Sequence, residues 1–391
     1  MTKHIALSLL FAACATDGKD GMEGAAGTDG TNGMNGTEGM QGAAGPQLAM
    51  PALYTMTNAS GGNQVAAYLR ATNGNLSRLG RFSTGGNGGA PGSQGSIVFD
   101  AASQRFFAVN NGNDTISMLA LGADGRLAPM ATIDSGGKKP VSIAVHGDHV
   151  YVANRGDAAS SVAGNIAGFA IQGDALMPIA GSSQALSAAS DVRPTDIGFT
   201  PDGKFLVVAE LLTDKLDTYA VTNGVAGAGT FQTSAGQKPF AFSFSPEGVL
   251  VVAEVGDGSS SGSSASSYTI SSTGALTPVT SALPTLQGAA CWIVAAGDYA
   301  YIANAATGNI TGLDIAENGA LTLHDSGGIT AVTSTGSVDL AVAPDRGYLY
   351  ALANGTSGKQ VFVFEMRPNG SLAPFGALGG LSATASGLVA R

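Results

Sequence analysis

One short turn phrase recurs seven times along this chain, at intervals of roughly fifty residues. Most copies pair Asn or Asp with Gly and lead into a leucine, and they occupy residues 73–76, 124–127, 173–176, 223–224, 273–276, 318–321 and 369–372. Asn-Gly and Asp-Gly supply the positive φ angles that a tight β-hairpin turn requires. A strand-built repeat of this length is typical of propeller blades, so the sequence predicts seven of them.

A second phrase has the same period, and it is a short apolar strand that ends in an amide or an acid. Its closing residues are Asn58, Asn110, Asn154, Glu210, Glu254, Asn304 and Asn354. A third phrase, suited to an innermost strand, precedes most of these strands, and its seventh copy stands at the C-terminus, in residues 387–390. The first blade therefore begins at its second strand, and the C-terminal strand completes it. We predict an all-β, seven-bladed propeller closed by that strand, since closure removes exposed sheet edges.

Composition limits the class of partner. The chain has 391 residues, of which 44% are hydrophobic and only 12% are charged, and its formal net charge is −10. Nucleic-acid binding requires a basic stripe, so this balance argues against a nucleic-acid partner. No run of apolar residues is long enough to span a membrane. We expect one propeller domain over residues 51–391, in an extracytoplasmic protein.

The N-terminus looks like a targeting segment. Lys3 and His4 precede an apolar stretch, and residues 11–14 read Phe-Ala-Ala-Cys. This resembles a bacterial lipoprotein signal, with residues 1–13 as the signal peptide and Cys14 as the lipidated residue. An ordinary secretory signal with an incidental cysteine is the alternative. The lipoprotein interpretation predicts a membrane-anchored protein of the bacterial cell envelope, either periplasmic or surface-exposed, in which Cys291 has no disulfide partner.

A glycine-rich segment joins this signal to the propeller. Glycine stands at every third position from residue 18 to residue 45, which is the collagen period. No proline lies inside the run, so a triple helix would be weak. We expect residues 14–50 to form a disordered stalk on a monomer, with a collagen-like trimer as the alternative.

Several phrases carry a family resemblance. The Tyr-Val-Ala-Asn strand at 151–154, the Pro-Asp-Gly-Lys hairpin at 201–204 and the Asn-Gly turns resemble the seven-bladed lactonase-type propellers. That group includes 6-phosphogluconolactonase, carboxymuconate-cyclase relatives and YVTN-repeat surface proteins. The resemblance covers about residues 51–391, and it implies the fold more strongly than the reaction.

The resemblance also implies where catalytic groups would stand. Enzymes of that family typically carry Pro-Arg-His at the start of an inner strand and Asn-Glu-Leu at the end of the next. The matching places here read Pro-Thr-Asp at 194–196 and Glu-Leu-Leu at 210–212. The arginine and histidine are absent, and Leu211 occupies the place of the glutamate. Arg193, one residue before the proline, can substitute only in part.

The polar residues at the predicted mouth of the ring are the remaining candidates for a site. Glu210 and Glu254, on neighbouring blades, are the leading pair for a cation, a sugar or a peptide. An asparagine after a strand can also hydrogen-bond loop backbone, so the amides suit a scaffold equally well. His146 and His149 flank a turn on the opposite face. The predicted ligand-binding residues are Glu210, Glu254, Asp196, Arg193, Arg155, Asn154 and Asn304.

Two functions follow from these patterns. The first is a membrane-anchored propeller that binds a glycan, a small molecule or a protein without catalysis. The second is a divergent lactone hydrolase or cyclase. We expect no catalytic residue, metal or cofactor under the first hypothesis, and the sequence identifies no ligand under either.

Overall fold

The computed structural model describes residues 50–391, and almost all of its regular structure is β-strand. The predicted signal segment, Cys14 and linker residues up to 49 lie outside the described residues. Among residues 50–391, no helix is both long enough and apolar enough to cross a membrane. A single 3-10 turn, Ala158–Ser160, is the only helical element of that range.

Seven antiparallel sheets form the blades, and in six of them the strands follow chain order from the centre outward. Blade 1 contains β1 (Ala52–Met56), β2 (Gln64–Arg70) and β3 (Leu76–Ser83). Blade 2 contains β4 (Ile97–Asp100), β5 (Arg105–Asn110), β6 (Thr115–Leu121) and β7 (Leu127–Asp134). Blade 3 contains β8 (Pro140–His146), β9 (His149–Asn154), β10 (Asn165–Gln172), β11 (Ala175–Pro178) and β12 (Gln184–Ala185).

The remaining four blades repeat this plan. Blade 4 contains β13 (Pro194–Phe199), β14 (Phe205–Glu210), β15 (Lys215–Thr222) and β16 (Val225–Thr233). Blade 5 contains β17 (Pro239–Phe244), β18 (Leu250–Glu254), β19 (Ser264–Ile270) and β20 (Leu276–Pro284). Blade 6 contains β21 (Ala290–Ala296), β22 (Tyr299–Asn304), β23 (Asn309–Ile315), β24 (Leu321–Leu323) and β25 (Ala331–Val332). Blade 7 contains β26 (Asp339–Val342), β27 (Tyr348–Asn354), β28 (Lys359–Met366) and β29 (Leu372–Leu381).

The predicted latch is confirmed. The last strand, β30 (Ser386–Ala390), pairs antiparallel with β1 and becomes the innermost strand of blade 1. Ala52 and Arg391 exchange two backbone hydrogen bonds of 2.8 Å beside this pairing. The two ends of the described chain therefore meet in one sheet, and the ring is closed.

The recurring Asn-Gly and Asp-Gly phrases form the turns between the third and fourth strands of each blade, as predicted. Gly370 has φ 84°, and a Cβ there would lie 2.4 Å from Cε1 of Tyr299, so only glycine fits. The buried Tyr301 hydroxyl of blade 6 donates to the carbonyl of this same glycine in blade 7, at 2.8 Å. The turns thus contribute to the contacts between neighbouring blades.

Two faces of the ring are defined by these connections. The upper face is where the second strands end and the crossover loops run, and the lower face carries the hairpins between first and second strands. The second strands are buried along most of their length because neighbouring blades cover both of their sides; in β14 every residue is buried. Cys291 is buried in β21. The expectation about its pairing depends on Cys14, which lies outside the described residues.

Candidate active site

The amides and acids that close the second strands join neighbouring blades. Asn110, Asn154 and Asn304 are 0% exposed. The Nδ2 of Asn154 donates to the carbonyl of Ser135, on the loop that arrives from blade 2, at 3.0 Å. These contacts match the scaffold alternative for the amides, and a ligand role for Asn154 or Asn304 remains a prediction.

Glu210 and Glu254 occupy similar positions between neighbouring blades. Both are 0% exposed. Glu210 accepts a hydrogen bond of 2.8 Å from the backbone N–H of Ser187, which follows the outer strand of blade 3. Glu254 accepts one of 2.9 Å from the N–H of Gly236, which follows the outer strand of blade 4. Burial raises the pKa of Glu254. The structure places Glu210 between blades 3 and 4 and Glu254 between blades 4 and 5, and the two described carboxylates do not contact each other.

The two predicted arginines of the upper face meet at one aspartate. The guanidinium of Arg155 donates to Oδ2 of Asp191 through Nε at 3.1 Å and Nη2 at 2.5 Å. The backbone N–H of Arg193 donates to Oδ1 of the same carboxylate at 3.0 Å. Burial opposes ionisation of Asp191, but the hydrogen bond and charge of Arg155 outweigh it and lower the pKa of Asp191. This cluster is a half-buried ion pair on the rim of the upper face.

Asp196 differs from the other predicted residues because its strand turns it toward the axis of the ring. It is 4% exposed. Its Oδ2 accepts the backbone N–H of Phe242, in the next blade, at 3.0 Å. Its Oδ1 accepts the hydroxyl of Ser142, in the preceding blade, at 3.3 Å. Burial raises the pKa of Asp196 to about 8, although these hydrogen bonds favour the charged form.

The same position recurs on every innermost strand and forms a layer across the axis. Its members, defined here as the axial layer, are Ser96, Ser142, Asp196, Ala241, Trp292, Asp339 and Gly387. An innermost strand has an unpaired edge toward the axis, so its buried N–H groups need other acceptors. Ser142 accepts from Ile197, and Asp339 accepts from Leu388 at 2.7 Å. Ser142, Asp196 and Asp339 therefore bind one blade to the next.

Gln94, which the sequence patterns did not identify, crosses this layer from the upper face. Its Nε2 donates to Asp196 at 3.3 Å and to the carbonyl of Phe242 at 2.9 Å. Its Oε1 accepts the N–H of Ile293 at 2.9 Å. The indole of Trp292 donates to the carbonyl of Ser93 at 3.1 Å. The loop segment 93–95 consequently fills the axis at this level, between blades 3 and 6.

A cavity of about 430 Å³ lies on the lower side of Gln94 and Asp196. Its walls are the lower halves of β4, β8, β13 and β17 with the hairpin after β13. The residues at the ends of these strands are partly exposed, so the cavity opens toward the lower face. Asp196 is the carboxyl at its inner end, and among the described residues that line it none is Lys or Arg.

His146 also lines this cavity but stands at its rim. It follows Ser142 by four residues along β8, which corresponds to roughly 13 Å at the rise of a strand. Ser142 contacts Asp196, so the imidazole and the carboxyl lie too far apart to act on one bond. Its ring packs on Phe199, with 5.6 Å between centroids. Acid–base chemistry at the inner end of the cavity would thus depend on Asp196.

A carboxyl with a pKa near neutrality inside a cavity is a common feature of acid–base catalysis, although structural groups are perturbed as well. Gln94 and Ser142 fix the orientation of the Asp196 carboxyl, and the cavity gives a small molecule access to it. Asp339 is an informative contrast. Burial raises its pKa well above the usual range, yet Asp339 does not line the cavity.

Two family models match parts of the chain. One, described as a seven-bladed β-propeller lactonase, matches residues 177–294, and one described as an LVIVD repeat matches residues 287–323. The first range contains Asp196 and the innermost strands of blades 4 and 5. No curated protein matches the chain in sequence.

Several solved structures are similar to this chain in fold. A provisionally assigned 6-phosphogluconolactonase from Bacteroides fragilis is 16% identical, with a TM-score of 0.67 over 89% of this chain and 100% of that one. The periplasmic gluconolactonase of Pseudomonas aeruginosa is 17% identical, with a TM-score of 0.66 over 87% of this chain and 99% of that one. A Lactobacillus plantarum protein is 18% identical, with a TM-score of 0.68 over 88% and 100%. The fold is that of a lactonase-type seven-bladed propeller.

Proposed function

We propose that this propeller hydrolyses an uncharged lactone in the axial cavity, with Asp196 as the general base. The observation that carries the proposal is the position of this carboxyl, whose pKa burial raises to about 8, at the inner end of an open cavity. The match of residues 177–294 to the lactonase model supports the reaction class. This is the second of the two functions expected from the sequence, and it has more support than a purely binding role.

The chemistry needs one proton acceptor and a water molecule. The Asp196 carboxylate removes a proton from water while the water oxygen adds to the lactone carbonyl carbon. The ring C–O bond then breaks, and the proton passes from Asp196 to the departing alkoxide oxygen, which yields a hydroxy acid. A base of raised pKa is stronger than an ordinary carboxylate, and such catalysis contributes about 10²–10⁴-fold to a rate.

The lining of the cavity argues for a substrate without a phosphate group. Phosphate recognition normally uses Lys, Arg or clustered backbone N–H groups. The described residues that line the cavity include no Lys or Arg, and the Asp100 carboxylate would repel an anion. We expect no appreciable hydrolysis of 6-phosphogluconolactone.

A non-catalytic binding propeller is the second candidate. The oxygens of Asp196 already accept hydrogen bonds from Ser142, Phe242 and Gln94. A carboxyl engaged in this way can be structural, as Asp339 is in blade 7. Asp196 and Asp339 share the structural role, but of these two only Asp196 lines the cavity. The experiment must therefore compare the two residues.

The test compares Asp196→Asn with Asp339→Asn in hydrolysis of δ-valerolactone, an uncharged ring without substituents. Both variants keep an oxygen acceptor in the axial layer, so both should fold. We expect Asp196→Asn to lower kcat/KM about 100-fold or more and Asp339→Asn to leave it nearly unchanged. Turnover is followed by acid release in a pH-stat, with the uncatalysed rate subtracted.

Equal activity in the two variants, with both folded, would contradict the role of Asp196. Absence of turnover in the wild-type protein over a panel of five- and six-membered lactones would favour the binding propeller instead. Rapid hydrolysis of 6-phosphogluconolactone would contradict the uncharged substrate and point to a site outside this cavity.

We also propose, from the sequence, that a lipid on Cys14 holds the propeller at a bacterial membrane through the glycine-rich segment. Radiolabelled fatty acid should enter the wild-type protein when it is expressed in bacteria, and Cys14→Ala should lack the label and leave the membrane fraction. Label in the Cys14→Ala variant, or none in the wild type, would contradict the anchor. Cys291→Ala serves as the control, since it should retain the label.

A further inference from the structure

We infer that the substrate is a lactone with an apolar substituent, an alkyl chain or an aryl group, that lies against the aromatic wall of the axial cavity. This inference rests on the proposed function and specifies its substrate class. It follows from three properties of the cavity: which surfaces are apolar, which polar side chains are already bonded, and how large the cavity is.

The apolar surface comes mainly from four phenylalanines on three innermost strands. Phe99, Phe199 and Phe244 are half-buried where they line the cavity, and Phe242 is buried behind them. Phe242 and Phe244 stack edge to face, with 5.9 Å between ring centroids. Phe199 packs on His146, and the guanidinium of Arg391 lies over the ring of Phe99. The apolar area that a ligand can cover therefore lies mainly on Phe199, Phe242 and Phe244. Covering such area is favourable by about 25 cal/mol per Å².

The polar side chains of the cavity have few free hydrogen-bonding atoms. Thr200 donates its hydroxyl to Asp202 at 2.7 Å. Asp100 accepts the backbone N–H of Ser103 at 2.8 Å. The hydroxyl of Ser243 accepts the N–H of Ala295 at 3.0 Å. A sugar lactone carries several hydroxyls, and each must replace a bond to water. The cavity offers them few free side-chain partners, so a polyhydroxy substrate would lose more than it gains.

The glycine on β13 lets the ring of Phe242 pack directly against the strand at the cavity wall. A Cβ on Gly198 would lie 2.8 Å from Cε2 of Phe242, so a larger residue would displace that ring. The total volume of about 430 Å³ lies within the range of small-molecule sites. The lactone carbonyl can then lie beside Asp196 while its substituent extends toward the lower face.

The test uses two six-membered lactones that differ only in their substituents, δ-decalactone with a pentyl chain and D-glucono-δ-lactone with hydroxyls. Binding is measured by titration calorimetry and ligand-observed NMR on the Asp196→Asn variant, in which turnover is slow. We expect δ-decalactone to bind at least about tenfold more tightly, since each buried methylene contributes about 0.8 kcal/mol.

A pair of substitutions at one wall residue separates apolar character from shape. Phe199→Leu should retain δ-decalactone binding, whereas Phe199→Gln, of similar size, should weaken it about tenfold. The same pair at Phe244 provides a second measurement if either Phe199 variant fails to fold. Equal affinities of the Leu and Gln variants at both positions would overturn the inference, and so would tighter binding of the sugar lactone.

Failure of the inference and failure of the proposed function give different results. Tight binding of δ-decalactone with no hydrolysis by the wild-type protein contradicts the reaction but supports the apolar specificity. Hydrolysis of D-glucono-δ-lactone that depends on Asp196, without binding of δ-decalactone, contradicts the specificity but supports the reaction.

Discussion

Asp217 lies in blade 4 between β14 and β16, and it is 0% exposed. Its Oδ2 accepts the hydroxyl of Tyr219 at 3.4 Å. Burial, together with the hydrogen bond and charge of Glu210, raises the pKa of Asp217 to about 9. The same environment raises the pKa of Tyr219. Asp217 is therefore protonated at neutral pH, when an unfolded chain would ionise it.

This difference predicts a pH-dependent loss of stability. The unfolded carboxyl loses its proton near 3.8, and the folded one retains it up to about 9. The free energy of unfolding consequently falls as pH rises between these values, by at most about 1.4 kcal/mol per pH unit for this one group. Asp217→Asn keeps a donor for Glu210 and removes the titration. We expect the variant to gain stability relative to the wild type from pH 5 to pH 8.5.

Urea unfolding at the two pH values measures the effect. Asp174→Asn is the control, since the side chain of Asp174 is 85% exposed in the structure and should show no such gain. A stability difference between Asp217→Asn and the wild type that does not change with pH would show that Asp217 is ionised in the folded protein.

Single residues show most clearly how far the sequence could predict a site. Glu210 and Asp196 were both candidates, because each closes or opens a strand at the predicted mouth. The structure places Glu210 at a contact between two blades and Asp196 on the axis of the ring. Which environment a carboxyl enters depends on crossover loops, such as the segment that carries Gln94, and no local periodicity specifies their path.

Elements were predictable where a local signal repeats. The hairpin turns, the second strands and the displaced seventh innermost strand all have short-range signatures, so the blade plan and the latch follow from the sequence. The outer strands of blades 3 and 6 are each broken into two short pieces, β11 with β12 and β24 with β25. Their weak pairing has no comparable signature, because exposed outer strands are only partly defined by burial.

The latch yields a prediction about β30. Deleting residues 383–391 removes the pairing with β1, the buried Leu388 and its hydrogen bond to Asp339. Loss of one buried leucine costs about 2–5 kcal/mol, and the exposed edge of β1 can then pair with another chain. We expect the truncated protein to unfold at lower temperature without cooperativity, or to aggregate.

Calorimetry and light scattering on the truncated protein check this expectation. The single substitution Leu388→Ala is the control, since it removes the side chain but keeps the strand, and it should remain monomeric with a reduced Tm. An unchanged Tm after the nine-residue deletion would mean that β30 does not latch the ring.

The whole ring combines a rigid scaffold with a cavity on one side of its axis. The axial layer, with Gln94 across it, joins the innermost strands and fills the axis below the upper face. On the upper face, where the sequence predicted the ligand site, the carboxylates are engaged in contacts between blades and in ion pairs. The lower face has the open cavity. The placement of the site is thus a property of the closed ring, and it could not be read from any one blade.

The pH dependence of kcat/KM for δ-valerolactone is the measurement that tests the account most directly. If Asp196 is the general base, kcat/KM rises with pH and levels off above a pKa of about 8, after the uncatalysed rate is subtracted. Asp339→Asn should keep this profile, and Asp196→Asn should lose it together with most of the activity. A wild-type profile without an inflection near pH 8, or an inflection that persists in Asp196→Asn, would contradict catalysis by Asp196 in the axial cavity.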